Sequence, residues 1–104
     1  MRIIDVHELQ QHLAEGETLL LDVRGDDEFS YASIAGSVHI PLPELPRRVA
    51  ELNPARPIAV LCHHGMRSEM AARWLEQNGF TDVSNVAGGI DAWSMHVDPA
   101  VPRY

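Results

Sequence analysis

Ile58-Ala59-Val60-Leu61 runs without a polar break into Cys62, the only cysteine in the chain. A short apolar run with no alternation fits a strand covered on both faces, the usual state of a strand in a parallel sheet. Open parallel sheets bind ligands beyond the carboxyl ends of their strands. The run therefore delivers Cys62 to the edge where such a sheet does its chemistry. The loop His63-His64-Gly65-Met66-Arg67-Ser68 follows. A helix is expected from Ser68 to Asn78, with Met70, Ala71, Trp74 and Leu75 at helical spacing and Gly79 closing it.

The rest of the chain alternates in the same way. Arg2-Ile3-Ile4 predicts a first strand. Asp5 and Glu8 have the spacing of a capping box, and Val6, Leu9 and Leu13 give a helical stripe that Gly16 ends. Thr18 to Val23 predicts a second buried strand, and Asp26 or Asp27 caps a short helical turn through Phe29 and Tyr31. Val38 to Ile40 predicts a third strand, stopped by Pro41. A helix is expected from about Pro43 to Leu52, with its prolines confined to the first turn. Val83 to Val86 predicts the last strand, and Gly88-Gly89 turns into a helix holding Ile90 and Trp93. Strands alternating with helices make a parallel α/β sheet. The expectation is one domain over 1–104 with an extended tail at 97–104, since no repeat or linker composition interrupts it.

Composition narrows the function classes. The net charge is −7, with most of the acid in the first half of the chain. Non-specific nucleic-acid binding needs basic patches, so no nucleic-acid partner is expected. All 8 cations are arginine, which removes Schiff-base chemistry through lysine. No apolar run reaches membrane-spanning length, so no membrane partner is expected. One cysteine and an N-terminus without an apolar export signal point to a cytoplasmic location.

An unpaired cysteine is often an inert buried hydrophobe. Here a loop leading into a helix turns backbone N–H groups toward the sulfur, and such an N-terminus stabilises a thiolate. Arg67 adds a permanent positive charge and Gly65 permits a tight turn. A thioredoxin-like centre needs a second cysteine, which the chain lacks. A cysteine phosphatase has its arginine six positions after the nucleophile. Arg67 stands five after Cys62, so the loop is one residue short for a phosphate. A papain-like base is not expected from His63 or His64, which adjoin the nucleophile. A thiolate that takes up one sulfur as a persulfide remains.

Cys62-His63-His64-Gly65-Met66-Arg67 resembles the active loop of the rhodanese family, C-x-x-G-x-R. Leu21-Asp22-Val23-Arg24 with Glu28-Phe29 is similar to that family's strand-and-turn signature. Gly36 to Leu42 resembles its G-[AS]-x-x-I-P-L segment, and Gly79-Phe80 with Asn85 to Trp93 resembles its closing G-F…N-[LV]-x-G-G-I-x-A-W. The resemblance implies a three-layer α/β/α fold with a five-stranded parallel sheet. It also implies a sulfurtransferase: Cys62 takes the sulfane sulfur of a small donor such as thiosulfate and passes it to cyanide, a thiol or a protein. By the same resemblance Cys62 is the sulfur carrier, and the backbone of His63, His64, Gly65, Met66, Arg67 and Ser68 cradles the persulfide. Arg67 binds the donor's anionic oxygens, and neither cofactor nor metal is required. The alternative is a persulfide relay that serves one partner protein. The family's G-H-I-P-G-A is here Ala32-Ser33-Ile34-Ala35-Gly36-Ser37, a change expected to alter loop packing rather than catalysis. The tail, Trp93 to Tyr104, is similar to the ends of rhodanese domains fused to adenylating enzymes.

Several residues have plainer roles. Asp22 and Arg24 are expected to tie the sheet edge to the next turn, with Glu28 as partner for Arg24. Trp74 and Trp93 are expected in the core, and His39 in a structural hydrogen bond. His63 and His64 are expected to shape the rim and add partial positive charge near neutral pH.

Overall fold

The computed structural model describes residues 1–104. Five parallel strands form one sheet: β1 (Arg2–Ile4), β2 (Leu19–Asp22), β3 (Val38–His39), β4 (Ile58–Leu61) and β5 (Val83–Val86). Their order is β1-β5-β4-β2-β3, so β4 is the central strand. In register, Leu21 faces Val60 and Asp22 faces Leu61, while Val60 faces Asn85 on the other side.

Successive residues of a strand point to opposite faces. Ile58, Val60 and Cys62 lie in one apolar cluster with Leu21, Ala71, Leu75 and Val83. Ala59 and Leu61 lie in a second with Ile4, Leu9, Val86, Ile90 and Trp93. The uninterrupted apolar run of β4 is thus explained: both of its faces are core. Helices α3 (Leu45–Arg48) and α4 (Met66–Gln77) cover the first face, and α1 (Val6–Glu15) and α5 (Gly89–His96) the second. The short helix α2 (Asp26–Tyr31) follows β2.

Local chemistry sets the ends of these elements. The Asp5 side chain accepts from the Glu8 amide at 2.8 Å, and Glu8 reaches back to the Asp5 amide. This capping box contributes about 1 kcal/mol to α1. Gly16 closes the helix in the left-handed region at φ 83°.

Three expectations are corrected. The single helix over Pro43–Leu52 is broken into a 3-10 turn (Leu42–Glu44), α3, and a second 3-10 turn (Val49–Glu51). Pro43 and Pro46 supply no amide hydrogen, so a regular ladder has no room to establish itself. Helix α4 begins at Met66 rather than Ser68, because Gly65 at φ 118° already makes the turn. The tail expected to be extended over 97–104 turns over 97–101, where Val97 and Asp98 donate to the Trp93 carbonyl and the buried Val101 donates to Asp98. Val101 belongs to the second apolar cluster, and that burial holds the tail against the body. No helix is long and apolar enough to cross a membrane.

Candidate active site

Cys62 lies just past the C-terminal end of β4 and is 1% exposed. The Gly65 amide donates to Sγ at 3.0 Å. The thiol donates to Ser68 Oγ at 3.3 Å, and Ser68 donates onward to Asn85 Oδ1. Asn85 Nδ2 returns to the Gly65 carbonyl at 3.1 Å. The four residues close a ring of hydrogen bonds around the sulfur, so the loop has little freedom to widen. Nothing local marks Asn85 as part of it. Its membership follows from β5 lying beside β4, with Asn85 at the strand's carboxyl end.

The back of the loop is held by α5. The amides of Ile90 and Asp91 donate to the carbonyls of Cys62 (2.9 Å) and His63 (3.2 Å). Of the loop's amides, that of Gly65 points at the sulfur. The first-turn amides of α4 have no intrahelical partners and add positive potential there.

The predicted loop residues have distinct fates. Ser68 is buried beside the sulfur, while His64 and Met66 are exposed. The His63 ring stacks on Tyr104, with centroids 3.9 Å apart and planes at 9°. Its Nε2 is buried without a hydrogen-bond partner. Burial, and then the neighbouring His64, push the His63 pKa below the ordinary histidine value. The expected positive charge on His63 near neutral pH is therefore corrected: its site favours the neutral ring.

Arg67 is partly exposed and its outer edge is engaged by a carboxylate. Its Nη1 and Nη2 donate to Glu28 Oε1 (2.6 Å) and Oε2 (2.9 Å). The Arg67 guanidinium holds the Glu28 carboxyl at about 2. Glu28 is the expected partner of Arg24 through its backbone carbonyl, at 3.3 Å, while its carboxylate goes to Arg67. Arg24 is wholly buried and pairs with the buried Asp22, Nη2 to Oδ2 at 2.6 Å. Its remaining donors go to the carbonyls of Ala32 and Glu28 and to the Tyr104 hydroxyl. All five guanidinium hydrogens thus have acceptors. The Ala32 carbonyl is the link from the altered loop to this network, whereas Ser33 and Ala35 are exposed. His39 Nε2 donates to the Arg24 carbonyl at 2.6 Å, as expected of a structural histidine. No group of three or more metal-ligating side chains is present.

A buried cysteine in a six-residue loop after the central strand, with an arginine at its end, is the feature that comparison with known proteins can decide. The profile of the Rhodanese-like domain matches residues 5–96. The chain belongs to the rhodanese-like family. It is 44% identical over 92 residues to the putative sulfur carrier protein YrkF of Bacillus subtilis, covering 88% of this chain and 50% of that protein. It spans half of that relative. It is 36% identical to a sulfurtransferase of Allochromatium vinosum, covering 94% of this chain and 92% of that protein. Among solved structures, a rhodanese-like domain protein from Staphylococcus aureus superposes with a TM-score of 0.86 at 30% identity, covering 100% of this chain and 99% of that one. The three-layer fold with five parallel strands is the rhodanese fold, and the family is one of sulfurtransferases and sulfur carriers.

Proposed function

We infer that this rhodanese-like protein moves a sulfane sulfur from a donor such as thiosulfate to a nucleophilic acceptor through a persulfide on Cys62. The observation that carries the reading is the Gly65 amide on Sγ within a loop closed by Ser68 and Asn85. That enclosure suits one added sulfur atom rather than a phosphate.

The chemistry balances without a cofactor. The Cys62 thiolate attacks the outer sulfur of thiosulfate, a new S–S bond forms, and sulfite leaves with the bonding pair. Cyanide or a thiolate then attacks the outer sulfur and Cys62 leaves as thiolate. The Gly65 amide and the N-terminus of α4 stabilise negative charge on the sulfur, a role for fixed dipoles in a water-poor site. Gly65, Ser68 and the loop backbone of His63, His64, Met66 and Arg67 hold the persulfide.

The test is intact mass after incubation with sulfane donors. One added sulfur is expected, absent in Cys62→Ala, as covalent catalysis requires. No adduct from thiosulfate or from an organic persulfide overturns the reading. The relay alternative draws support from the likeness to a putative sulfur carrier. It expects slow turnover with cyanide and fast transfer to a protein thiol.

A further inference from the structure

Glu28 is held more firmly than a surface carboxylate. Oε1 accepts from Arg67 Nη1 (2.6 Å) and from the Gly25 amide (3.2 Å). Oε2 accepts from Arg67 Nη2 (2.9 Å) and from the Tyr104 hydroxyl (2.7 Å). Tyr104 in turn accepts from Arg24, which is anchored to Asp22 in the protein interior. Each carboxylate oxygen therefore has two donors, and the pair is tied through one hydroxyl to the core.

Three arginines around the loop are each paired with a carboxylate. Arg67 has Glu28, Arg24 has Asp22, and Arg103 has Asp91. The depression beside Arg67 is lined by Asp26, Glu28 and Glu44, with Arg67 as its only cation. Glu44 is itself bonded to Arg47 and Arg48. A dianionic donor that uses the two-amino edge of Arg67 must displace Glu28 from it and then lie beside the uncovered carboxylate. An uncharged organic group meets no such penalty, and Met66 and Met70, one helical turn apart on α4, are 80% and 64% exposed near the loop.

We propose that Glu28 is a positioning residue that sets donor preference: by occupying both amino groups of Arg67 it favours an organic persulfide, R–S–SH, over a dianion such as thiosulfate. This rests on the Cys62 reading above. The Cys62 thiolate attacks the terminal sulfur of R–S–SH. The Cys62 S–S bond forms, the donor S–S bond breaks, the hydrogen stays on the transferred sulfur, and R–S⁻ leaves.

The experiment compares initial rates of Cys62 persulfide formation from three donors: thiosulfate, a cysteine persulfide with both backbone ends capped, and the same persulfide within a peptide that has no other charged group. In Glu28→Gln, the ratio of kcat/KM for thiosulfate to that for the organic persulfides rises about fivefold, through a lower thiosulfate KM. Tyr104→Phe, which loosens Glu28 without touching Arg67, moves the ratio the same way by about twofold. A peptide used faster than the capped residue identifies a polypeptide donor, and equal rates identify a free persulfide; both accord with the proposal if the ratio rises. An unchanged or lowered ratio in both folded variants overturns it, because Glu28 would then merely orient Arg67 toward thiosulfate. If the wild-type protein gains sulfur from none of the three, the Cys62 reading fails and this inference with it.

Discussion

Gly89 lies against the carbonyl of Cys62. A Cβ built on Gly89 would stand 2.5 Å from that oxygen and 2.4 Å from the oxygen of His63. Its φ of 58° is also in the left-handed region. The N-terminus of α5 can hold the loop's carbonyls only because this position has no side chain.

Gly89→Ala is therefore expected to push the reactive loop off α5. Strain and lost hydrogen bonds together predict about 1–3 kcal/mol of destabilisation. Sulfur uptake should fall by more than the unfolded fraction explains. Urea denaturation and persulfide mass at matched folded fraction would measure both. Unchanged uptake would show that α5 does not shape the loop.

Ser68→Ala removes the link between Cys62 and Asn85, and leaves Asn85 Oδ1 buried without its donor. A cost of about 1–3 kcal/mol is expected for that orphaned group. The persulfide should form more slowly and be lost faster to small thiols, read by the decay of the mass adduct. Asn85→Ala should have the same kinetic signature if the ring acts as one unit, which a double-mutant cycle would reveal as strong non-additivity.

Asp22→Asn breaks a pair whose two members are both wholly buried. Leaving Arg24 charged inside the protein should cost about 3–5 kcal/mol. The loss should appear as a lower urea midpoint with the same slope. A variant of near wild-type stability would mean that water reaches Arg24 readily.

The pH dependence follows from Glu28. Its folded pKa of about 2 lies below the ordinary 4.5, so its stabilising contribution is present above 4.5 and is lost as pH falls through about 2. The pair is partly exposed, with Arg67 38% and Glu28 26% accessible, so screening reduces the effect to about 1 kcal/mol. The difference in stability between wild type and Glu28→Gln should shrink between pH 5 and pH 2. A difference constant across that range would show that Glu28 contributes through shape rather than charge.

Much of the site is legible in the sequence because its signals are local. The apolar run of β4, the glycine at 65 and the arginine at 67 fix where the cysteine emerges and how the chain turns after it. Helix α1 and its cap were legible for the same reason, since Asp5 and Glu8 bond each other's amides within one turn. The helix over residues 43–52 was less so, because two prolines spaced three apart leave competing short turns of nearly equal merit.

The partners of the charged and polar groups were decided by tertiary structure alone. Arg67 and Glu28 are 39 positions apart, Ser68 and Asn85 are 17 apart, and Tyr104 reaches Glu28 across 76. Sequence spacing offers Glu28 to Arg24, and the fold gives Arg24 only its carbonyl, with Asp22 supplying the carboxylate. Hydrophobic period and cap chemistry act over a few residues, so the sequence by itself determined the strands, most of the helices and the place of Cys62. An ion pair depends on distances that exist only once β2, β4 and β5 lie side by side. The fold therefore decided what surrounds the sulfur, including the carboxylate that engages Arg67.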